Sequence, residues 1–266
     1  MSNGVVIWEG ISKLDDVSPI TLIAVGLKNK STNRKTGKMI QTYILRSDKS
    51  PIEVLQNKED GGICGDCVHN HSVGNRSCYV NVGQGPSRVY DTYVKGNYPT
   101  YWLKGIFKNR PFRFGTYGDP AAVPYDVWQP ILEDLRASER PIWTGYTHAW
   151  KYCDPRYSEF LMASVDSQDE YEEARASGWR TFRVVSPEFK LNKREFVCPA
   201  SDEGHLSLIK KAATIGKTNV PRLTCEECGA CNGGERKSTV AIVVHGLKWK
   251  QQAFLTVKGA TINAES

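Results

Sequence analysis

Seven of the eight cysteines fall into two groups whose spacing suits metal chemistry. Cys225, Cys228 and Cys231 form a C-x2-C-x2-C run in TCEECGAC, and Cys198, followed by Pro199, is the candidate fourth thiolate. Four thiolates complete either a tetrahedral zinc site or a 4Fe-4S cubane. Bacterial cluster sites use this run with a remote cysteine before proline, whereas structural zinc sites more often pair two C-x2-C knuckles. A 4Fe-4S cluster is therefore the leading expectation, with zinc as the alternative. The second group is Cys64, Cys67 and Cys78 in ICGDCVHNHSVGNRSCYVN, with His69 and His71 inside the loop. Three thiolates and a histidine make a closed zinc site. Three thiolates alone on a four-iron cluster leave one iron open to a substrate or to S-adenosylmethionine, so one or two clusters are expected. Cys153 stands apart and reads as a packed, neutral thiol.

Reactive thiols need acids and bases nearby, and the elements that would bring them there follow a βα rhythm from about residue 76. RPFRFGTYGD, PIWTGYTHAW, FLMASVDS, WRTFRVVS, REFVCPAS and STVAIVVHGL read as strands. YDVWQPILEDLRAS, SQDEYEEARASG and HLSLIKKAATIG read as helices, the second with Ser167 or Gln168 near its start and Gly178 as its stop. Such alternation predicts a parallel sheet and an α/β fold, a (β/α) barrel, irregular or incomplete, over residues 51–266. Closing it needs two more strands between residues 37 and 108; an open doubly wound sheet is the rival. Residues 1–50 are expected as a β-rich extension, with TLIAVGLK and MIQTYILR flanking the polar tip KNKSTNRKTGK. In barrels the C-terminal ends of the strands carry the site. Asp119, Thr147, His148, Asp166, Ser186, Cys198 and His245 all fall at those ends. Of these, Asp119, Thr147, His148 and Asp166 are the candidate catalytic residues, for orienting substrate or moving protons.

Composition narrows the partners. The chain has 266 residues, is 40% hydrophobic and can bury a core without disulfides. With no apolar run of eighteen residues and no signal-peptide pattern, a cytoplasmic protein with no membrane partner is expected. Clustered cysteines there read as ligands rather than disulfides. The net charge of +6 is a modest bias toward phosphate. The hairpin tip concentrates it in Lys28, Lys30, Arg34, Lys35 and Lys38, candidate contacts to a nucleic-acid backbone. In YVKGNYPTYWLKGIFKNR, lysines and Arg110 interleave with Tyr93, Tyr98, Tyr101, Trp102 and Phe107, a pattern that suits stacking on single strands or simply core packing.

RFGTYGDPAAVPYDVWQPIL followed by IWTGYTHAW, with SCYVN, CPAS, CEECGAC and STNRKTG, resembles a group of uncharacterised phage and mobile-element proteins. That likeness spans most of the chain, implies a host-cell cytoplasmic setting, and carries no activity. More distantly the chain resembles the radical S-adenosylmethionine barrel enzymes, in which a cysteine next to an aromatic ends the cluster loop, as Cys78 and Tyr79 do. The departure is that those enzymes carry C-x3-C-x2-C where this chain has C-x2-C-x10-C. The resemblance implies a reactive cluster on Cys64, Cys67 and Cys78, an auxiliary one on Cys198, Cys225, Cys228 and Cys231, and a nucleic-acid or nucleotide substrate. A third comparison is with the guanine transglycosylases, including those that place 7-deazaguanine in DNA. There Asp119 and Asp166 would act as nucleophile and acid/base beside a zinc ion, although that family's zinc pattern, C-x-C-x2-C, differs from this one. A zinc-bearing nucleic-acid-binding protein without catalysis is the non-enzymatic alternative.

Overall fold

Three strands open the chain: β1 (Gly4–Ile11), β2 (Pro19–Val25) and β3 (Ile40–Arg46). The structure is a computed structural model that describes residues 2–31, 33–72, 76–100, 103–234 and 238–264, with side chains as far as residue 256. β1–β2 and β2–β3 are antiparallel, while β3 pairs in parallel with β4 (Phe112–Tyr117). Residues 1–50 therefore share one sheet with β4, and residue 50 marks no break in it. Three helices, α1 (Pro51–Gln56), α2 (Gly61–Cys64) and α3 (Gly85–Val94), lie between β3 and β4. Among the described residues, β3 is the one strand between residues 37 and 108, where the barrel expectation asks for two.

After β4 comes α4 (Tyr125–Arg136), then β5 (Trp143–Thr144) and β6 (Tyr146–Thr147), separated only by Gly145. β5 closes the first sheet, ordered β1-β2-β3-β4-β5. β6 opens the second, ordered β6-β7-β8-β10-β9 and parallel throughout. Its other strands are β7 (Met162–Val165), β8 (Thr181–Val185), β9 (Glu195–Val197) and β10 (Thr239–Val243). Helices α5 (Gln168–Ala176) and α6 (Asp202–Ala213) connect these strands, and α7 (Cys225–Cys228) and α8 (Lys248–Ala264) flank β10. Ser167 caps α5 through a bond from Glu170 N, and Gly178 follows at φ +84°, as its sequence predicts. β10 sits between β8 and β9, so the sheet is not a simple sequential winding.

The core is aromatic. Phe112, Phe114, Trp128 and Phe160 are fully buried, with neighbouring ring centroids 4.8–5.2 Å apart in the contacts that run from Phe112 to Phe114 and from Phe114 to Trp128 and Phe160. Phe107 joins them, and Tyr93 and Tyr98 lean on the same cluster. Arg110 spends its guanidinium on the carbonyls of Gly26 and Leu27, and Lys104 pairs with Glu133. The described rings of the stretch 93–110 are drawn inward by burial rather than offered for stacking, while Tyr101 and Trp102 lie outside the described residues. No described helix is long and apolar enough to cross a membrane.

Candidate functional site

Both cysteine groups open on a single cavity of about 420 Å³. Both sheets line it: β4 of the first contributes Arg113, Gly115, Thr116 and Tyr117, and β8 of the second contributes Phe182 and Val184, two apart and so on one face of that strand. Cys64, Cys67 and Cys78 line one part of it, and Cys198, Cys225, Cys228 and Cys231 another.

The first group is held by a loop that folds on itself. Asp60, almost fully buried, accepts bonds from the backbone of His71 (2.8 Å) and Ser72 (2.9 Å). Cys78 N bonds His69 O at 2.9 Å, bringing the distant third cysteine back to the C-x2-C pair. Burial, then the neighbouring Cys67 and Cys78 sulfurs, push the Cys64 thiol well above its ordinary range. Burial likewise raises Cys78. Thiols crowded in this way lose their protons readily only to a cation that repays the repulsion.

A polar chain runs behind this trio. His69 Nδ1 meets Ser77 Oγ at 2.6 Å and its Nε2 meets Asp166 Oδ1 at 2.8 Å. The other carboxylate oxygen of Asp166 is 3.4 Å from His148 Nε2, and Cys67 lies close to the same imidazole. Burial opposes ionisation of Asp166, yet bonds from His148 and His69 outweigh it and hold the carboxyl well below its usual range. For His148, burial is overcome by Cys67 and Asp166, which raise it well above the usual imidazole range. His69, His148 and Asp166 form the one set of three such ligand atoms within 4.8 Å of one another among the described residues. Neither cysteine group is gathered so tightly. A single zinc ion with bonds near 2.3 Å would draw its sulfurs to about 3.8 Å apart, whereas a cubane spreads its thiolates over separate irons.

The histidines of the cysteine loop do not complete that trio. Both ring nitrogens of His69 are engaged, and His71 faces Asp60 with Nδ1–Oδ2 at 3.8 Å. The Tyr117 hydroxyl is buried beside Cys64 and Cys78 without a hydrogen-bond partner, the donor a sulfur-rich group placed there would satisfy. The donor set fits a three-thiolate cluster.

The second group is assembled from three directions. α7 carries Cys225 and Cys228, starts with a Thr224–Glu227 capping box and ends at Gly229 in the left-handed region. The hairpin tip docks on it: Cys225 N bonds Lys35 O at 2.8 Å, and Lys38 N bonds the Glu226 carboxylate. Cys231 O accepts from Gly145 N at 3.0 Å, tying the cysteine loop to the junction of the two sheets. Cys198 and Cys231 are buried in a cluster with Met162, Val240 and Ile242. Burial first, then the neighbouring sulfurs, raise Cys225 to about 11.

Arg180 is the residue the sequence did not flag. It is 1% exposed and donates to Ala230 O (2.8 Å), Gly233 O (2.9 Å), Asn232 Oδ1 (2.9 Å) and Ser238 O (2.8 Å), clamping the loop that carries Cys231. Only the pattern WR at a strand start hinted at it, and burial was invisible there.

The predicted rim residues divide. Asp119, His148, Cys198 and His245 line the cavity, and Asp166 stands directly behind His148. Thr147 and Ser186 are not among the lining residues. Asp119 is largely a tether: its N–H bonds Ile63 O at 2.6 Å, and its carboxylate accepts from Ala121 N (2.9 Å) and His148 N (2.8 Å). Burial raises its carboxyl, against these bonds and one with Thr147. Of the hairpin cations, Lys28, Lys30, Arg34 and Lys38 are exposed, while Lys35 turns into the cavity. Cys153 packs against the main core, and burial, then Asp119, raise its thiol to about 12. No family model matches the chain, and no curated protein or solved structure matches it either.

Proposed function

We propose that the protein is an iron–sulfur enzyme of the barrel type, of phage or mobile-element origin, that modifies a nucleotide or nucleic acid. The observation that carries the reading is the shared cavity: a three-thiolate group and a four-thiolate group face one space with His148 and Asp119 on its wall. The parallel strands β3, β4, β5–β6, β7, β8, β10 and β9 would form the wall of an incomplete barrel around it, with β1 and β2 as its antiparallel edge. In this reading Cys64, Cys67 and Cys78 hold a 4Fe-4S cluster with one open iron, and Cys198, Cys225, Cys228 and Cys231 hold a second. Bound there, such a cluster supplies one-electron chemistry and an iron to which S-adenosylmethionine or a substrate can bind. The chain supplies the rest. Cys67 and Asp166 together keep His148 charged, so that a positive charge stands beside the sulfur. Asp119 fixes the His148 backbone, and the apolar cluster around Cys198 and Cys231 buries those two thiols of the second group.

Anaerobic purification with iron, sulfide and zinc analysis tests the reading. Brown protein with about eight irons per chain, falling to about half in Cys64→Ser and in Cys231→Ser, is the expected result. Colourless protein with stoichiometric zinc would sink it and return the transglycosylase reading, for which Asp119→Asn and Asp166→Asn in a base-exchange assay are decisive.

A further inference from the structure

Two cations line the cavity without an ion-pair partner among the described residues. Lys35 reaches in from the hairpin tip and Arg113 from β4, and the ion pairs of the described residues include neither. Lys35 Nζ lies 2.9 Å from His245 Nε2, while His245 Nδ1 lies 3.1 Å from Val243 O. The carbonyl can only accept, so Nδ1 carries the proton and Nε2 accepts from the ammonium. His245 is thus a positioning residue that uses one Lys35 donor and leaves two. Arg113 gives Nη2 to Tyr79 OH at 3.0 Å and keeps the rest of its fork. Flat walls flank these cations. Tyr79 lies against His245 with centroids 5.6 Å apart, and Tyr146 against Phe182 at 4.2 Å, all four lining the cavity.

We propose that Lys35 and Arg113 form an oxyanion site that seats the phosphate of a single nucleotide, with its base against the aromatic wall. A guanidinium fork and an ammonium suit phosphate oxygens, and aromatic faces suit a base. The cavity of about 420 Å³ is shared with whatever the cysteines hold, so the space left takes one small ligand and excludes a duplex. The nucleotide is either free or one residue of a strand turned into the cavity. This rests on the cavity being the substrate site, and not on which metal fills it. The competing role for the two cations is to balance the charge of the Cys198 and Cys225 thiolates.

Anaerobic titration calorimetry on the metal-loaded protein separates the two. The titrants are the common nucleoside 5′-monophosphates, the matching nucleosides, inorganic phosphate and a short single-stranded oligonucleotide. At least one monophosphate or the oligonucleotide binds, and the nucleoside binds about tenfold or more weakly. Arg113→Gln and Lys35→Met each weaken nucleotide binding about tenfold or more with metal content unchanged, whereas Lys217→Met, at an exposed position away from the cavity, does not. A free monophosphate that displaces the oligonucleotide identifies a strand residue as the occupant; a monophosphate that binds while the oligonucleotide does not identifies a free nucleotide. Both support the site. Equal binding of nucleoside and nucleotide, no binding of any titrant, or metal loss in Arg113→Gln and Lys35→Met overturns it. The nucleoside comparison uses unaltered protein, so it decides even where a variant fails to fold. Zinc in place of iron would overturn the iron–sulfur reading and leave this binding result intact.

Discussion

Asp166 and Asp119 look alike in sequence, each an acid just past a strand, yet their surroundings give them different work. Asp166 is gripped by two imidazoles, so its stabilising contribution has a definite pH window. Its depressed carboxyl contributes above the unfolded value of about 4 and loses that contribution as pH falls through the folded value. The raised His148 contributes fully below about 6.5 and loses its part as pH rises through the folded value. Metal-free Asp166→Asn should therefore be less stable than the parent near neutrality, with the gap closing toward both acid and alkaline pH. Urea unfolding across that range checks it. Asp119→Ala removes two buried backbone bonds instead, and should cost about 2 kcal/mol with its largest effect on the order of the 145–150 segment, read by hydrogen exchange. An unchanged urea midpoint would remove Asp119 as a tether.

At the scale of elements, glycines and one arginine decide how the cysteine loops sit. Gly118 adopts φ +80°, and a Cβ there would lie 2.7 Å from both Ile44 O and Ile44 Cβ, so the Gly-Asp pair is required by backbone approach. At Gly145 a methyl would run into Leu161 and come within 2.9 Å of Phe114 Cβ. Gly145→Ala should cost about 1–3 kcal/mol and disturb the bond to Cys231, lowering metal content at the second group before the first. Arg180→Met strands several carbonyls together and should cost about 3 kcal/mol or more, with metal lost selectively from the Cys231 site. Thermal unfolding paired with metal content on each variant checks both; full metal content in Arg180→Met would show that the loop holds itself.

The second cysteine group joins distant parts of the whole molecule, since Lys35, Gly145, Cys198 and the 225–231 loop meet there. A metal bound only by the folded chain stabilises all of it by mass action. Stripping the metal under reducing conditions should lower the melting temperature by about 5–10 °C, as a loss of about 3 kcal/mol does in a chain of this length. Most of the strands from β2 onward and the helices α4, α5 and α6 were legible in the chain, because hydrophobic period and caps are local signals. Helices α3 and α8 and the pairing of β3 with β4 were not, since a strand's own residues do not say which strand lies beside it. The sequence by itself determined the donors: which thiols, imidazoles and carboxylates exist and which fall at strand ends. Only the tertiary structure decided that the two cysteine groups face one cavity, that Asp166 bridges two histidines, and that Lys35 turns inward while the other hairpin cations remain in water. Those outcomes depend on burial and on contacts between residues as much as 210 positions apart, which no local pattern encodes.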